Sequence, residues 1–130
     1  REGCDVTIVA VSTMVRTALA AAKELAEEHR VEAEVIDVMS LSPLDVETII
    51  ASVKRSGRLA IVHEAHAPCG IGAEIVARVC EDAHGALKAA PLRITPPFAP
   101  SPFAPVLEKI YLPDAARIGS EIREKLCDAL

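Results

Sequence analysis

Two hydrophobic periods alternate along the first 95 residues of the chain. Short runs rich in β-branched and aliphatic residues, typical of strands in a parallel sheet, occur at residues 6–11 (VTIVAV), 33–38, 59–62 (LAIV) and 92–95. Between them, apolar residues recur at helical spacing: Val15, Leu19, Ala22 and Ala26, then Ile49, Ile50 and Val53, then Ile75, Val76, Val79 and Cys80. The order β-α-β-α-β-α-β predicts an α/β fold, a doubly wound and mostly parallel sheet with helices on both faces.

Polar, proline and glycine residues predict where the helices begin and end. In SPLD, residues 42–45, Ser42 can cap the second helix, Pro43 suits its first position and Asp45 favours its positive end. Gly57 then predicts the end of that helix, and Gly85 the end of the third, which we expect to begin near Ile71.

A proline-rich segment separates the last strand from a final helix. Residues 96–105, PPFAPSPFAP, contain five of the nine prolines, so we predict an extended loop that is neither helix nor central strand. An amphipathic helix is predicted to follow from about Asp114, with Ala115, Ile118, Ile122 and Leu126 on its apolar face.

Composition narrows the classes of function. With 130 residues and 51% hydrophobic content, we expect residues 1–130 to form a single domain. The sequence has two Phe, one Tyr, no Trp and a net charge of -5. This composition disfavours binding of nucleic acid, because proteins that bind it use aromatic side chains for stacking or a basic face. No apolar run approaches the roughly 20 residues of a membrane helix. We therefore expect a soluble, cytoplasmic protein with neither nucleic acid nor membrane as a partner.

The termini and cysteines add two expectations. The chain starts at Arg1 without an initiator Met and enters a strand almost at once, which predicts a fragment of a longer protein. Cys4, Cys69, Cys80 and Cys127 form no CxxC pair, so we expect reduced thiols.

The strongest candidate for chemistry is the segment AIVHEAHAPCGIGAEIV, residues 60–76. Ligands of open parallel sheets collect at the carboxyl ends of the strands. Three loops qualify there, at Ser12-Thr13, at residues 63–72 and from Thr95 onward, and only the second carries a cluster of reactive side chains.

Four interpretations of this cluster remain open. Gly70 and Gly72 could cradle a phosphate at a helix N-terminus, although the third glycine of the dinucleotide fingerprint is missing; alternatively, they let the helix approach the sheet closely. His63, His66 and Cys69 are residue types that bind zinc, but a structural zinc site needs four ligands. Cys69 could be a nucleophile with His66 as its base. Finally, the loop could be structural, with His63 and Glu64 facing an interface.

Several motifs together resemble the C-terminal domain, of the transketolase C-terminal type, of the E1 β subunit of pyruvate, branched-chain 2-oxo acid and acetoin dehydrogenases. They are EGCDVTIVAVSTMVRTALAAAKEL, AEVIDVMSLSPLDVETI, SGRLAIVHEA, GIGAEI and LEKIYLPDAARI. The resemblance implies a five-stranded, three-layer sheet with one antiparallel edge strand. It also implies an enzyme that uses thiamine diphosphate and a divalent metal ion to decarboxylate a 2-oxo acid and acylate a lipoyl carrier.

The resemblance further implies partners rather than catalytic residues. In that family the cofactor lies between the α subunit and the N-terminal half of the β subunit, so this domain is expected to be inactive alone and to bind no cofactor. Its expected partners are the E1 α subunit and a second β subunit, in an α2β2 assembly, and the E2 acyltransferase core; alone it is expected to be a weak homodimer. The candidate interface residues are His63, Glu64, Gly70, Gly72, Glu74, Ile122 and Leu126.

Overall fold

A computed structural model describes residues 1–127. The strands are β1 (Val6–Ala10), β2 (Ala33–Asp37), β3 (Leu59–Val62) and β4 (Leu92–Ile94). The helices are α1 (Met14–His29), α2 (Val46–Ser56), α3 (Ile71–Ala83), α4 (Pro105–Tyr111) and α5 (Ala115–Ile122), with a 3-10 turn at His84–Ala86 and a π turn at Arg123–Cys127. No helix within residues 1–127 is both long enough and apolar enough to cross a bilayer.

The four strands form one parallel sheet in the order β2-β1-β3-β4. β1 is central and pairs with β2 from Val6↔Ala33 onward and with β3 from Thr7↔Leu59 onward. Because the chain leaves β1 toward β2 and returns past it to β3, the winding direction reverses between β1 and β3. The carboxyl ends of these two strands therefore flank the topological switch point of the sheet.

The prediction of a fifth, antiparallel edge strand is wrong for the described residues. The sheet that they form has four strands, and all four are parallel. Arg1 does exchange backbone hydrogen bonds with Val35 of β2, with N···O distances of 3.3 and 3.0 Å, as an antiparallel pair would. A strand needs consecutive pairs of this kind, and the next contacts, from Cys4 and Asp5 to the Glu32 carbonyl, no longer alternate in that way.

Helices cover both faces of the sheet, which confirms the three-layer α/β prediction. α1 and α5 pack on one face with Ile8, and α2 and α3 on the other with Val9. Successive residues of a strand point to opposite faces, so the continuous apolar run of β1 serves both cores. Thr7 is the polar exception, and its buried hydroxyl lies 2.6 Å from Ser52 Oγ and 2.8 Å from Ser56 Oγ of α2.

The phase of the first helix differs from the prediction. Of its four predicted core positions only Ala22 is buried, and Leu19 is exposed. The buried residues are Met14, Ala18, Ala21, Ala22 and Leu25. The helix carries alanines on several faces, so hydropathy alone could not show which face would be buried. The face that packs on the sheet is one whose small side chains allow close approach.

Two helix starts also depart from the prediction. Asp45, rather than Ser42, caps α2: its Oδ1 accepts a 3.1 Å hydrogen bond from the Thr48 N–H. The Ser42-Pro43 peptide is cis and lies before the helix. α4 was not predicted, because the proline that suggested a loop, Pro105, occupies the first helical position, where a missing N–H costs nothing. Residues 96–104 are not helical, as predicted.

Other boundaries are confirmed. Gly57 ends α2 with a positive φ of 73°, which glycine adopts without strain. Asp114 caps α5 through a 2.8 Å hydrogen bond from the Arg117 N–H.

The structure places two predicted interface residues, Ile122 and Leu126, inside the core. Both are covered by the chain itself, among α1, α5 and the sheet. Their side chains therefore have no surface to offer a partner, and the apolar face predicted for this helix packs within the chain.

We expect Ile122→Ala to lower the free energy of unfolding by about 2–5 kcal/mol, because it opens a cavity in the core. The control, Ile110→Ala on the exposed face of α4, should change it by less than about 0.5 kcal/mol. Urea denaturation followed by circular dichroism measures both. Equal effects of the two substitutions would contradict this assignment of core and surface.

Candidate functional site

The reactive segment of the sequence forms the loop between β3 and α3, at the carboxyl edge of the sheet. Beside it lies the end of β1, where Thr13 Oγ1 donates a 2.6 Å hydrogen bond to Glu64 Oε1. Glu64 itself is exposed. This hydrogen bond joins the two loops that flank the topological switch point.

His63 is a packing residue at the start of this loop, directly after β3. It is only 2% exposed, and neither ring nitrogen has a hydrogen-bond partner of normal geometry. A methyl group at Gly72 would lie 2.5 Å from His63 Nε2, and one at Gly70 would lie 2.7 Å from His63 Cε1. The two glycines therefore let the first turn of α3 close over the imidazole, which confirms the interpretation that they permit close approach of helix and sheet.

Burial favours the neutral form of the His63 ring. Removal from water lowers the pKa of His63 below its usual 6.5; the backbone of Ala65 opposes this change, and the positive charge of Arg93 adds to it. A neutral imidazole enclosed by backbone cannot bind a ligand at the surface without movement of α3.

His66 lies on the outer side of the same loop and connects it to the segment after β4. Its Nε2 lies 2.7 Å from the Tyr111 hydroxyl oxygen and 2.9 Å from the Ala99 carbonyl oxygen. That carbonyl also accepts a 2.9 Å hydrogen bond from the Tyr111 hydroxyl. The Phe98 ring meets the His66 ring edge-on, with centroids 5.1 Å apart. We call this group the His66 clasp: His66, Phe98, Ala99 and Tyr111.

The hypothetical zinc ligands His63, His66 and Cys69 are not assembled into a site. Within residues 1–127 no three His, Cys, Asp or Glu residues are placed to hold a metal ion. His63 is enclosed by Gly70 and Gly72, and His66 faces Tyr111.

The proposed thiol pair is not formed either. Cys69 is exposed, with a positive φ of 58°, and no hydrogen bond from His66 to its sulfur occurs in the described structure. His66 Nε2 instead lies against Tyr111 and Ala99.

The remaining candidate interface residues differ in how far they are buried. His63 and Gly72 are buried, Gly70 is half-buried, and Glu64 and Glu74 are exposed. Glu74 lies 3.9 Å from Arg78 one turn along α3. Only the two acids therefore present a full side chain at the surface.

Sequence reasoning placed the Ser12-Thr13 loop at this edge of the sheet but missed the contact of Thr13 with Glu64, and it missed Tyr111 and the Ala99 carbonyl altogether. Tyr111 is 45 residues from His66 along the chain, so no local pattern could pair them. For Tyr111 the one available signal was that it is the only tyrosine of the sequence.

A family model described as the C-terminal domain of transketolase matches residues 1–118. The chain belongs to this family. The domain is also similar to a solved structure of a split-gene transketolase, described as an inactive β4 tetramer, with a TM-score of 0.81 and 28% identity over 97% of this chain and 39% of that one.

Among curated proteins, the domain is 46% identical to the β subunit of acetoin:2,6-dichlorophenolindophenol oxidoreductase of Cupriavidus necator, over 97% of this chain and 37% of that subunit. It is 42% identical to the pyruvate dehydrogenase E1 β subunit of Bacillus subtilis, over 97% of this chain and 38% of that subunit. It is 43% identical to the 2-oxoisovalerate dehydrogenase β subunit of Pseudomonas aeruginosa, over 95% of this chain and 33% of that subunit. The resemblance to E1 β subunits is thus confirmed, and the domain spans little more than a third of their length.

We expect Gly72→Ala to destabilise the domain by about 1–3 kcal/mol, because the added methyl overlaps the His63 ring and α3 must move outward. The control Gly85→Ala, whose added methyl would meet no atom within 4 Å, should cost much less. Adding His63→Ala to Gly72→Ala should recover part of the loss. Chemical denaturation of the wild type, Gly72→Ala, His63→Ala and the double variant gives the coupling energy. Strictly additive effects would rule out this contact.

We also expect protonation of His63 to destabilise the fold. Because the folded-state pKa lies below the unfolded value of 6.5, the unfolded chain binds more protons between the two pKa values. The free energy of unfolding should therefore decrease as the pH falls below about 6.5. His63→Leu should reduce this slope in denaturation curves from pH 7.5 to 5, and His84→Leu, at an exposed position, should retain it. An unchanged slope in His63→Leu would refute the assignment.

Proposed function

We propose that the domain is the C-terminal part of the β subunit of a thiamine-diphosphate-dependent 2-oxo acid dehydrogenase, and that it contributes assembly rather than chemistry. The whole enzyme would decarboxylate a 2-oxo acid and acylate a lipoyl carrier. E1 components of these complexes are thiamine diphosphate enzymes in general. We further propose a cytoplasmic location.

One observation carries this proposal. Relatives named for three different substrates, acetoin, pyruvate and 2-oxoisovalerate, match the domain at similar identities of 46%, 42% and 43% over almost its whole length. What these proteins share is the kind of subunit and not the substrate. If the domain determined substrate specificity, its sequence identity to the relatives of one substrate would be expected to be much higher than its identity to the others.

The described residues do not fit a thiamine diphosphate site. The buried imidazole of His63 is covered by the first turn of α3, and Glu64 is engaged by Thr13. A diphosphate held through a divalent metal ion needs several convergent oxygen ligands, and residues 1–127 do not bring together such a set. In this proposal the cofactor and metal are therefore held by other parts of the enzyme.

The proposed partners are an E1 α subunit, a second β subunit in an α2β2 assembly and the E2 acyltransferase core. Support for association between β-type chains comes from the similar split-gene transketolase, which is described as a tetramer of β chains. Glu64 and Glu74 remain candidates for the contact surface, because both are exposed at or next to the loop that follows β3.

A chimera tests the proposal. The corresponding region of the Cupriavidus necator acetoin oxidoreductase β subunit is replaced by residues 1–127, and the chimera is produced with its α subunit. We expect an assembled enzyme whose acetoin-dependent dye reduction is within about tenfold of the parent, a barrier change of about 1.4 kcal/mol or less. The matched control is the same β subunit with the region deleted, which should not assemble.

Two results would overturn the proposal. One is a folded chimera that does not associate with the α subunit. The other is binding of thiamine diphosphate to the 130-residue chain alone in isothermal titration calorimetry.

A further inference from the structure

The chain after β4 forms a segment that lies outside both cores of the sheet. We call residues 97–112 the α4 segment: none of them belongs to either core cluster, and α4 buries none of its residues. The His66 clasp fastens this segment to the loop after β3, because His66 Nε2 lies 2.7 Å from the Tyr111 hydroxyl oxygen and 2.9 Å from the Ala99 carbonyl oxygen. The position of the segment therefore depends on the conformation of that loop.

Gly70 connects the clasp to the buried ring of His63. A methyl group at Gly70 would lie 2.7 Å from His63 Cε1 and would also overlap the His66 carbonyl oxygen. The ring of His63 and the backbone of His66 thus pack against the same residue, and that residue is the N-cap of α3. Because close-packed groups transmit a displacement to their neighbours, Gly70 cannot move off the ring without disturbing the backbone of His66.

The enclosed position of His63 accommodates the neutral ring better than the imidazolium. Neither ring nitrogen has a hydrogen-bond partner of normal geometry, whereas an imidazolium carries two N–H donors that need acceptors. Burial lowers the pKa of His63, the Ala65 backbone opposes this change, and the charge of Arg93 adds to it. A proton added to His63 is therefore stabilised best when the ring reaches water.

Two carboxylates at or next to this loop are engaged by other groups. Glu64 accepts a 2.6 Å hydrogen bond from Thr13. Glu74, in the first turn of α3, lies 3.9 Å from Arg78. In the closed loop both acids thus have partners other than the His63 ring.

Arg93 of β4 opposes protonation of His63 and also anchors the loop. Its guanidinium donates a 2.9 Å hydrogen bond to the Ala67 carbonyl, and its positive charge lowers the pKa of His63. Repulsion between Arg93 and a His63 imidazolium therefore acts on the residue that anchors the loop.

We propose that the loop after β3 is a pH-sensitive latch. A proton on His63 opens the first turn of α3, and this opening releases the His66 clasp and with it the α4 segment. The latch determines whether the exposed apolar side chains of the segment, among them Phe103 and Ile110, are held in one position. The inference goes beyond the proposed function and does not depend on it.

The latch opens as the pH falls. In the closed loop the pKa of His63 lies below 6.5, and in the open loop, where the ring is in water, the pKa returns to that value. The open form therefore binds the proton first, and its population relative to the closed form rises by up to about tenfold between pH 7.5 and 5.5. At neutral pH the clasp stays closed.

Hydrogen exchange measured by mass spectrometry on the 130-residue chain tests the latch. The N–H groups of Glu108 and Leu112, which donate to the Ala104 and Glu108 carbonyls, report on the α4 segment. The Ala73 N–H, which donates to the Gly70 carbonyl, reports on the first turn of α3. After correction for the intrinsic effect of pH on exchange, we expect the protection of both regions to fall by up to about tenfold from pH 7.5 to 5.5.

Urea separates opening of the latch from unfolding of the whole domain. Local opening exposes little surface, so exchange through it should be unchanged in about 1 M urea, whereas exchange through global unfolding should become about fivefold faster or more. The N–H groups of β1 serve as the reference for global unfolding. If exchange of the α4 segment at pH 5.5 follows that of β1 in urea, the inference fails.

Four substitutions test the order of events. His63→Leu should remove the pH dependence from both regions, and the control His84→Leu, at an exposed position, should retain it. Arg93→Gln should move opening to higher pH, because a positive charge beside His63 is lost, and it keeps the test available if His63→Leu does not fold. His66→Phe should leave the α4 segment unprotected at both pH values while the first turn of α3 keeps its pH dependence.

Three further results would overturn the inference. The first is protection of the α4 segment that does not change with pH in the wild type. The second is a pH dependence that persists in His63→Leu, which would assign the titration to His66 or another group. The third is an unchanged pH of opening in Arg93→Gln. Assembly or failure of the chimera affects none of these measurements, so the two proposals are tested separately.

Discussion

Burial of the parallel sheet on both faces is the constraint on which the rest of this domain depends. Each central strand must place apolar side chains alternately into two cores, as Ile8 and Val9 do. The helices approach closely through small residues, and α1 turns Ala18 and Ala21 toward the sheet. Layers this close are filled by alanine and branched aliphatic residues, which explains why both cores contain no aromatic side chain.

The same close packing explains the loop that contains most of the reactive side chains. His63 occupies the space beneath the first turn of α3 because Gly70 and Gly72 have no Cβ. Its ring nitrogens are buried without a hydrogen-bond partner of normal geometry, which is costly, whereas the buried hydroxyl of Thr7 is satisfied by Ser52 and Ser56. Burial therefore favours the neutral form of the histidine, and residues that resemble a catalytic cluster in the sequence form a packed turn.

The side chains that remain available to a partner lie in the loops and not in the sheet. The loop after β3 is joined to the segment after β4 through His66 and Tyr111, and beyond that junction the apolar side chains face outward. A rigid α/β body with exposed loops at the carboxyl edge of its strands is suited to connecting subunits. It also accounts for similar identities to β subunits named for different substrates.

Local rules were sufficient for the strands, for the start of α5 at Asp114 and for the end of α2 at Gly57, because each depends on residues within a few positions. Periodicity determines that a segment is helical but not which face is buried, so the face of α1 and the burial of Ile122 and Leu126 required the tertiary structure. The number and direction of strands also depend on long-range pairing. The contact between His66 and Tyr111 spans 45 residues. The sequence by itself thus determined the elements and their order, and the tertiary structure decided which side chains are enclosed and which remain available, because burial is a property of neighbours that are distant along the chain.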